Sequence, residues 1–279
     1  SEHALAEARG LSSVGFGMMT FGARKLARRY HHRAQGVAQR SANVSAIAFS
    51  WMALAFVDFY DGHWDPFDTR MGKAVTGYRE SGDLHRWGSP VMMVSWVQIA
   101  RGDLERARTL MTETVRVGKD AADPQISSWG LQVLGRALIA LGPLSDAEAA
   151  LREGADIALR IHSLDNLLHL QAMLVSCLVL QGRLAECPPL LDEAHAIIRR
   201  EKMDRDFDAV EVLVADARYR LALAESLQDA PRKAALDMAR DACRVGLRCA
   251  RRMPLWLPTM LRLQGRCDWL RGDTSATHQ

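Results

Sequence analysis

No aspartate or glutamate occurs between Ala8 and Val57, a stretch that holds Arg9, Arg24, Lys25, Arg28, Arg29, Arg33 and Arg40. Residues 1–57 therefore carry seven Lys/Arg against two acids and the remainder 29 against 31, so a net charge of only +3 conceals a basic N-terminal end. Also missing is an apolar run of the ~20 residues that a spanning helix needs. The uncharged stretch 42–57 is shorter and includes Asn43, Ser45 and Ser50, while its alanines at 42, 46, 48, 53 and 55 fit a helix packed between two others. Cysteine lacks the pattern of a framework. Cys177, Cys187, Cys243, Cys249 and Cys267 are odd in number, have no C-x-x-C spacing and lie inside apolar helical runs. That argues against disulfides and a zinc site, and for buried free thiols in a reducing cytoplasm. The N-terminus carries Glu2 and Glu7 and lacks the charged-then-apolar order of a secretory leader.

Chemistry-bearing motifs are absent as well. The chain contains no phosphate-binding G-x-x-x-x-G-K-[ST], no dinucleotide fingerprint between strand and helix, no H-E-x-x-H and no nucleophile elbow. His31 and His32 are adjacent, so on a helix they point about 100° apart and make a poor metal pair. His162 and His169 are separated by Ser163-Leu164-Asp165, which breaks a helix between them. No catalytic, metal-binding or cofactor-binding residue is assigned, and no cofactor is expected.

What is present is a repeat. Gly102-Asp103-Leu104, Gly142-Pro143-Leu144 and Gly182-Arg183-Leu184 recur at a spacing of 40 residues, and the same ruler laid backwards lands on Gly62 and Gly22. An apolar run of helical length precedes each glycine, and an amphipathic segment such as 103–117 or 145–161 follows it. Each repeat reads as helix, glycine turn, helix, so that Gly22, Gly62, Gly102, Gly142 and Gly182 are the structural turns. Gly15 and Gly135 lie seven residues before such a turn, where a small residue lets two helices approach closely. Ser81-Gly82-Asp83 ends one repeat, Asp123-Pro124 caps and opens the next, and Pro188-Pro189 fall in the opening turn of a second helix. Past Glu201 the ruler slips: Gly272 follows Gly182 by 90 residues, and the extra residues are expected as a loop around 226–230.

The spacing predicts an all-α fold, a right-handed α-α superhelix of about six helix pairs, with residues 1–279 forming one continuous repeat domain. Arg271-Gly272-Asp273 reads as the opening of a further repeat, so the chain is expected to be part of a longer protein.

An alanine follows the turn glycine by five residues at Ala27, Ala107 and Ala147, with Phe67 and Cys187 as departures. With the glycine turns, this resembles the tetratricopeptide signature, although the standard period is ~34. Gly62-His63-Trp64, the run from Tyr78 to Trp87 and the repeats after it are similar to the helical-repeat region of bacterial multidomain signalling proteins. In those proteins the repeats follow a class III adenylate/guanylate cyclase or kinase domain and an AAA/STAND ATPase module. The resemblance covers most of residues 40–200. It implies a non-catalytic regulatory or interaction arm, whose partner is another domain of the same polypeptide, a signalling protein or a second copy.

Two groups of residues are candidates for partner or ligand contact. Arg24, Arg28, Arg29 and Arg33 form a basic helix face suited to an acidic neighbouring domain, a nucleic acid or an anionic membrane; the alternative is a solvated face, and the aromatics do not interleave with these arginines as in a single-strand groove, which argues against nucleic acid. His63, Trp64 and Trp87 fall near repeat junctions, where they would line the concave groove of the first helices or else pack in the core. The resemblance also allows a second role, a sensor holding a small effector in that groove. An enzyme of unknown type rests on no motif.

Overall fold

The structure, a computed structural model, describes residues 2–20, 22–203, 207–251 and 255–272. Among them are thirteen α-helices, one short 3-10 helix and no strand. In order they are α1 (Glu2–Thr20), α2 (Arg24–Ser41), α3 (Val44–Asp61), α4 (Trp64–Glu80), α5 (Leu84–Arg101), α6 (Leu104–Asp120), α7 (Pro124–Leu141), α8 (Leu144–Arg160), α9 (Leu164–Leu180), the 3-10 turn Leu184–Glu186, α10 (Cys187–Glu201), α11 (Phe207–Ser226), α12 (Asp229–Ala250) and α13 (Leu257–Arg271). As the glycine ruler requires, α1 packs on α2, α3 on α4, α7 on α8, α9 on α10 and α11 on α12. The helices gather into two compact units, residues 1–98 and 99–279. Asp273, part of the further repeat expected at the C-terminus, lies outside the described residues.

The turns follow from backbone sterics. Gly22, Gly62, Gly102, Gly142 and Gly182 all have positive φ, between 73° and 110°, where a Cβ would clash and glycine is free to sit. At Gly62 the N–H bonds Phe59 O and the next N–H bonds Asp58 O, so two carbonyls at the helix end are satisfied. A second set of left-handed residues falls midway, at Ala42, Gly82, Ala122, His162 and Lys202, again 40 apart and marked by glycine only at Gly82. These close the turns between one helix pair and the next. The same bonding recurs there with an alanine, since Ala122 N bonds Lys119 O and Asp123 N bonds Gly118 O.

Ala122 (φ 51°) is exposed and gains nothing from its methyl group. A left-handed alanine costs about 1–2 kcal/mol, partly offset by the smaller entropy of its unfolded chain. Ala122→Gly should therefore stabilise the protein by about 0.5–1 kcal/mol, read as a melting temperature higher by roughly 2 °C. A fall in melting temperature would contradict the assigned backbone conformation.

The positions five residues after each turn glycine, Ala27, Phe67, Ala107, Ala147 and Cys187, are all 0% exposed, departures included. Gly15 and Gly135 mark close approaches, because a Cβ on either would lie 2.5 Å from His31 or Leu151 respectively. In residues 1–98, Phe16 of α1 stands edge-on to His31 of α2 and to Phe56 of α3. In residues 99–279 the core is aliphatic, with Leu151, Leu168, Leu170, Leu174, Ile197 and Val212 at its centre. By length and composition alone α3 could cross a membrane. Here it packs against α2 and α4 and carries the buried, ion-paired Asp58.

Two expectations change. The slip after Glu201 is absorbed largely by longer helices, with α11 and α12 reaching 20 and 22 residues and only Leu227-Gln228 between them. And the segment after Gly182 does not open as one α-helix. Pro188 and Pro189 have no N–H for the carbonyls of Leu184 and Ala185, so the chain makes a 3-10 turn before α10 begins.

Candidate functional site

The first helices of residues 99–279 hide apolar residues on most of their surface, yet several ionisable side chains converge. Arg136 comes from α7, His169 and Ser176 from α9, Glu211 and Arg218 from α11, Arg262 from α13, and Trp256 from just before α13. Glu211 is buried at the centre. Arg136 Nη2 lies 2.5 Å from its Oε2, and Trp256 Nε1 donates to the same oxygen at 2.6 Å. Burial alone would raise this carboxyl, but the guanidinium of Arg136, helped by His169 and the indole N–H, holds it below the usual carboxylate range.

Arg218 is in a different position. Among the described residues its hydrogen bond goes to the neutral Ser176 Oγ, at 3.0 Å, and to no carboxylate. Burial lowers its affinity for its proton, the positive charges of Arg136 and Arg262 add to that, and Glu211 opposes it. Arg136 and Arg218 thus share one buried glutamate, and the glutamate is already engaged by Arg136 and Trp256. A desolvated guanidinium without an anion is costly, and its planar fork fits carboxylate or another oxyanion. The arrangement is suited to holding an anionic group; no set of three or more His, Cys, Asp or Glu able to hold a metal occurs among the described residues.

The N-terminal basic face has its own partners. Arg24 donates to Tyr60 O at 2.7 Å and to Asp61, while Arg28 bridges Asp58 and Asp61 at 2.8 Å each. Asp58 also pairs with Arg70. So the first acid after the acid-free stretch neutralises it: Arg24 and Arg28 sit one turn apart on α2, opposite Asp58 and Asp61 on α3. Arg29 and Arg33 remain exposed. Arg24, Lys25, Arg28, Arg29, His32 and Asp61 line an open depression of about 560 Å³.

His63 is exposed and Trp64 half-buried, its ring edge-on to Phe59 at 6.0 Å. Trp87 is 1% exposed and packs in the core under Arg79. These three belong to residues 1–98, and the arginine cluster of α7, α11 and α13 belongs to residues 99–279. That cluster was missed because its members lie up to 126 positions apart (Arg136 to Arg262) in a segment whose overall charge is near balance.

None of the five cysteines forms a disulfide among the described residues, and four are buried.

No family model matches the chain, and no curated protein matches it. Solved structures do. One is a Rap protein complexed with competence and sporulation factor, at 11% identity and a TM-score of 0.67, covering 97% of this chain and 76% of that one. Another is the apo form of RapI, at 13% identity and a TM-score of 0.64, covering 97% and 99%. At such identities the likeness is one of fold, and it places the chain in the all-α, tetratricopeptide-like helical-repeat class.

Proposed function

We propose that this chain is a non-catalytic binding module that recognises a peptide or protein segment on the first helices of residues 99–279, through an acidic side chain or a free C-terminal carboxylate. The supporting observation is Arg218, desolvated beside Arg136 and Arg262 with only a serine to bond. One similar structure holds a Rap protein together with competence and sporulation factor, which agrees with a partner-binding role for this fold. The wider setting is part of the proposal: a regulatory arm beside a cyclase or kinase domain and a STAND ATPase, in a reducing cytoplasm where five thiols stay free.

The test is fluorescence anisotropy against short peptides in matched pairs, with a free or amidated C-terminus and with Asp/Glu or Asn/Gln side chains. Carboxylate-bearing peptides should bind, and Arg218→Met should weaken them about tenfold, as expected for one charge-assisted hydrogen bond. Equal binding of neutral and acidic members, or an Arg218→Met variant with unchanged affinity, would reject this reading.

A further inference from the structure

A second feature lies in residues 1–98, apart from the arginine cluster. A cavity of about 300 Å³ opens between α1, α3 and the first turn of α5. That volume is at the lower end of small-molecule pockets, too small for a folded partner to enter. Its walls include Arg9, Ser12, Ser45, Phe49, Ser50 and Arg86, and no carboxylate.

The hydrogen-bonding state of the walls says what would fit. Ser12 is 1% exposed and its Oγ has no hydrogen-bond partner. Buried hydroxyls rarely go unmet in a finished core, so this one is free to donate to something in the cavity. Ser45 Oγ donates to Asp83 Oδ2 at 2.8 Å, and Ser50 Oγ donates to Ile47 O at 2.7 Å. With their protons committed, both oxygens can only accept. Arg86 spends Nη1 on Asp83 and keeps its other donors, while Arg9 makes no ion pair among the described residues. Phe49, backed by Phe16, supplies a flat apolar wall.

Donating cations at the edge, a donor hydroxyl within, two accepting oxygens and an aromatic face make a specific combination. The geometry points to a site for a small hydroxylated oxyanion, of the sugar-phosphate or sugar-acid class. The anionic group would meet Arg9 and Arg86, the sugar hydroxyls would donate to Ser45 and Ser50 and accept from Ser12, and the C–H face of the ring would lie on Phe49. A purely apolar ligand would leave Ser12 unmet, and a bare inorganic anion would leave Ser45, Ser50 and Phe49 unused. This site does not depend on the peptide-binding reading above.

The experiment is isothermal titration calorimetry on the full chain with glucose 6-phosphate, glucuronate, glucose and inorganic phosphate. At least one of the two sugar oxyanions should bind tenfold or more tightly than both glucose and phosphate, and which one binds decides between phosphate and carboxylate. Arg9→Gln, an exposed position, should weaken that ligand about tenfold without changing the melting temperature. Ser12→Ala should weaken it likewise while leaving the ligand-free protein as stable as before or more so, since an unmet hydroxyl is removed. The proposal is overturned if neither sugar oxyanion outbinds phosphate, or if Arg9→Gln keeps full affinity. Arg218→Met should leave this binding unchanged.

Discussion

Glu211→Gln is expected to cost about 3–5 kcal/mol of stability, the range for breaking a buried ion pair by removing one partner. The change keeps the side chain's volume and an oxygen for Trp256 Nε1, so little of the loss would come from packing. It would come from Arg136, which loses the buried carboxylate it pairs with while the charge of Arg218 stays nearby. Urea unfolding should show a lower midpoint with an unchanged slope, because the surface exposed on unfolding is the same. Removing the guanidinium as well, as Arg136→Met with Glu211→Gln, should recover part of the loss, since the cation that lost its carboxylate is gone and the Gln oxygen still accepts from Trp256 Nε1. A Glu211→Gln variant within about 1 kcal/mol of the parent would show that the pair is not buried as described.

A second large effect is expected on acidification. His31 is fully buried, neither ring nitrogen has a hydrogen-bond partner, and its ring packs edge-on to Phe16 against the backbone of Gly15. Burial, with a smaller contribution from the charge of His32, lowers its pKa from 6.5 to about 4. The folded protein thus keeps His31 neutral where the unfolded chain takes up a proton. Stability from this group is complete above pH 6.5 and falls as pH drops from 6.5 towards 4, by about 1.4 kcal/mol per unit and about 3 kcal/mol in all. His31→Phe keeps a ring in the space and removes the proton. The stability difference between parent and variant should shift by about 2 kcal/mol in the variant's favour between pH 7 and pH 5. A difference that stays constant over that range would mean that His31 titrates normally and that water reaches the α1–α2 contact.

His31 and Glu211 also show how far sequence reasoning reaches. Gly15 points to a close approach before a turn, but which side chain enters the space, and that it arrives with both nitrogens unmet, depends on α2 folding back. The acid-free N-terminal stretch announces a surplus of cations. That Asp58 and Asp61 absorb Arg24 and Arg28 follows only when α3 lies alongside α2. The left-handed residues divide in the same way. The set at Gly22 through Gly182 was legible because glycine marks it, whereas Ala42, Ala122, His162 and Lys202 carry no mark and adopt the same conformation under the demand of the turn.

What the amino-acid order determined unaided was the paired-helix repeat and its 40-residue step, because helix period, turn sterics and capping act within a few residues of one another. The tertiary structure alone decided which charges are neutralised, which are left wanting an anion, and where the cavity beside Ser12 opens. Those outcomes turn on distances between side chains 30 to 75 positions apart, and helix packing sets such distances.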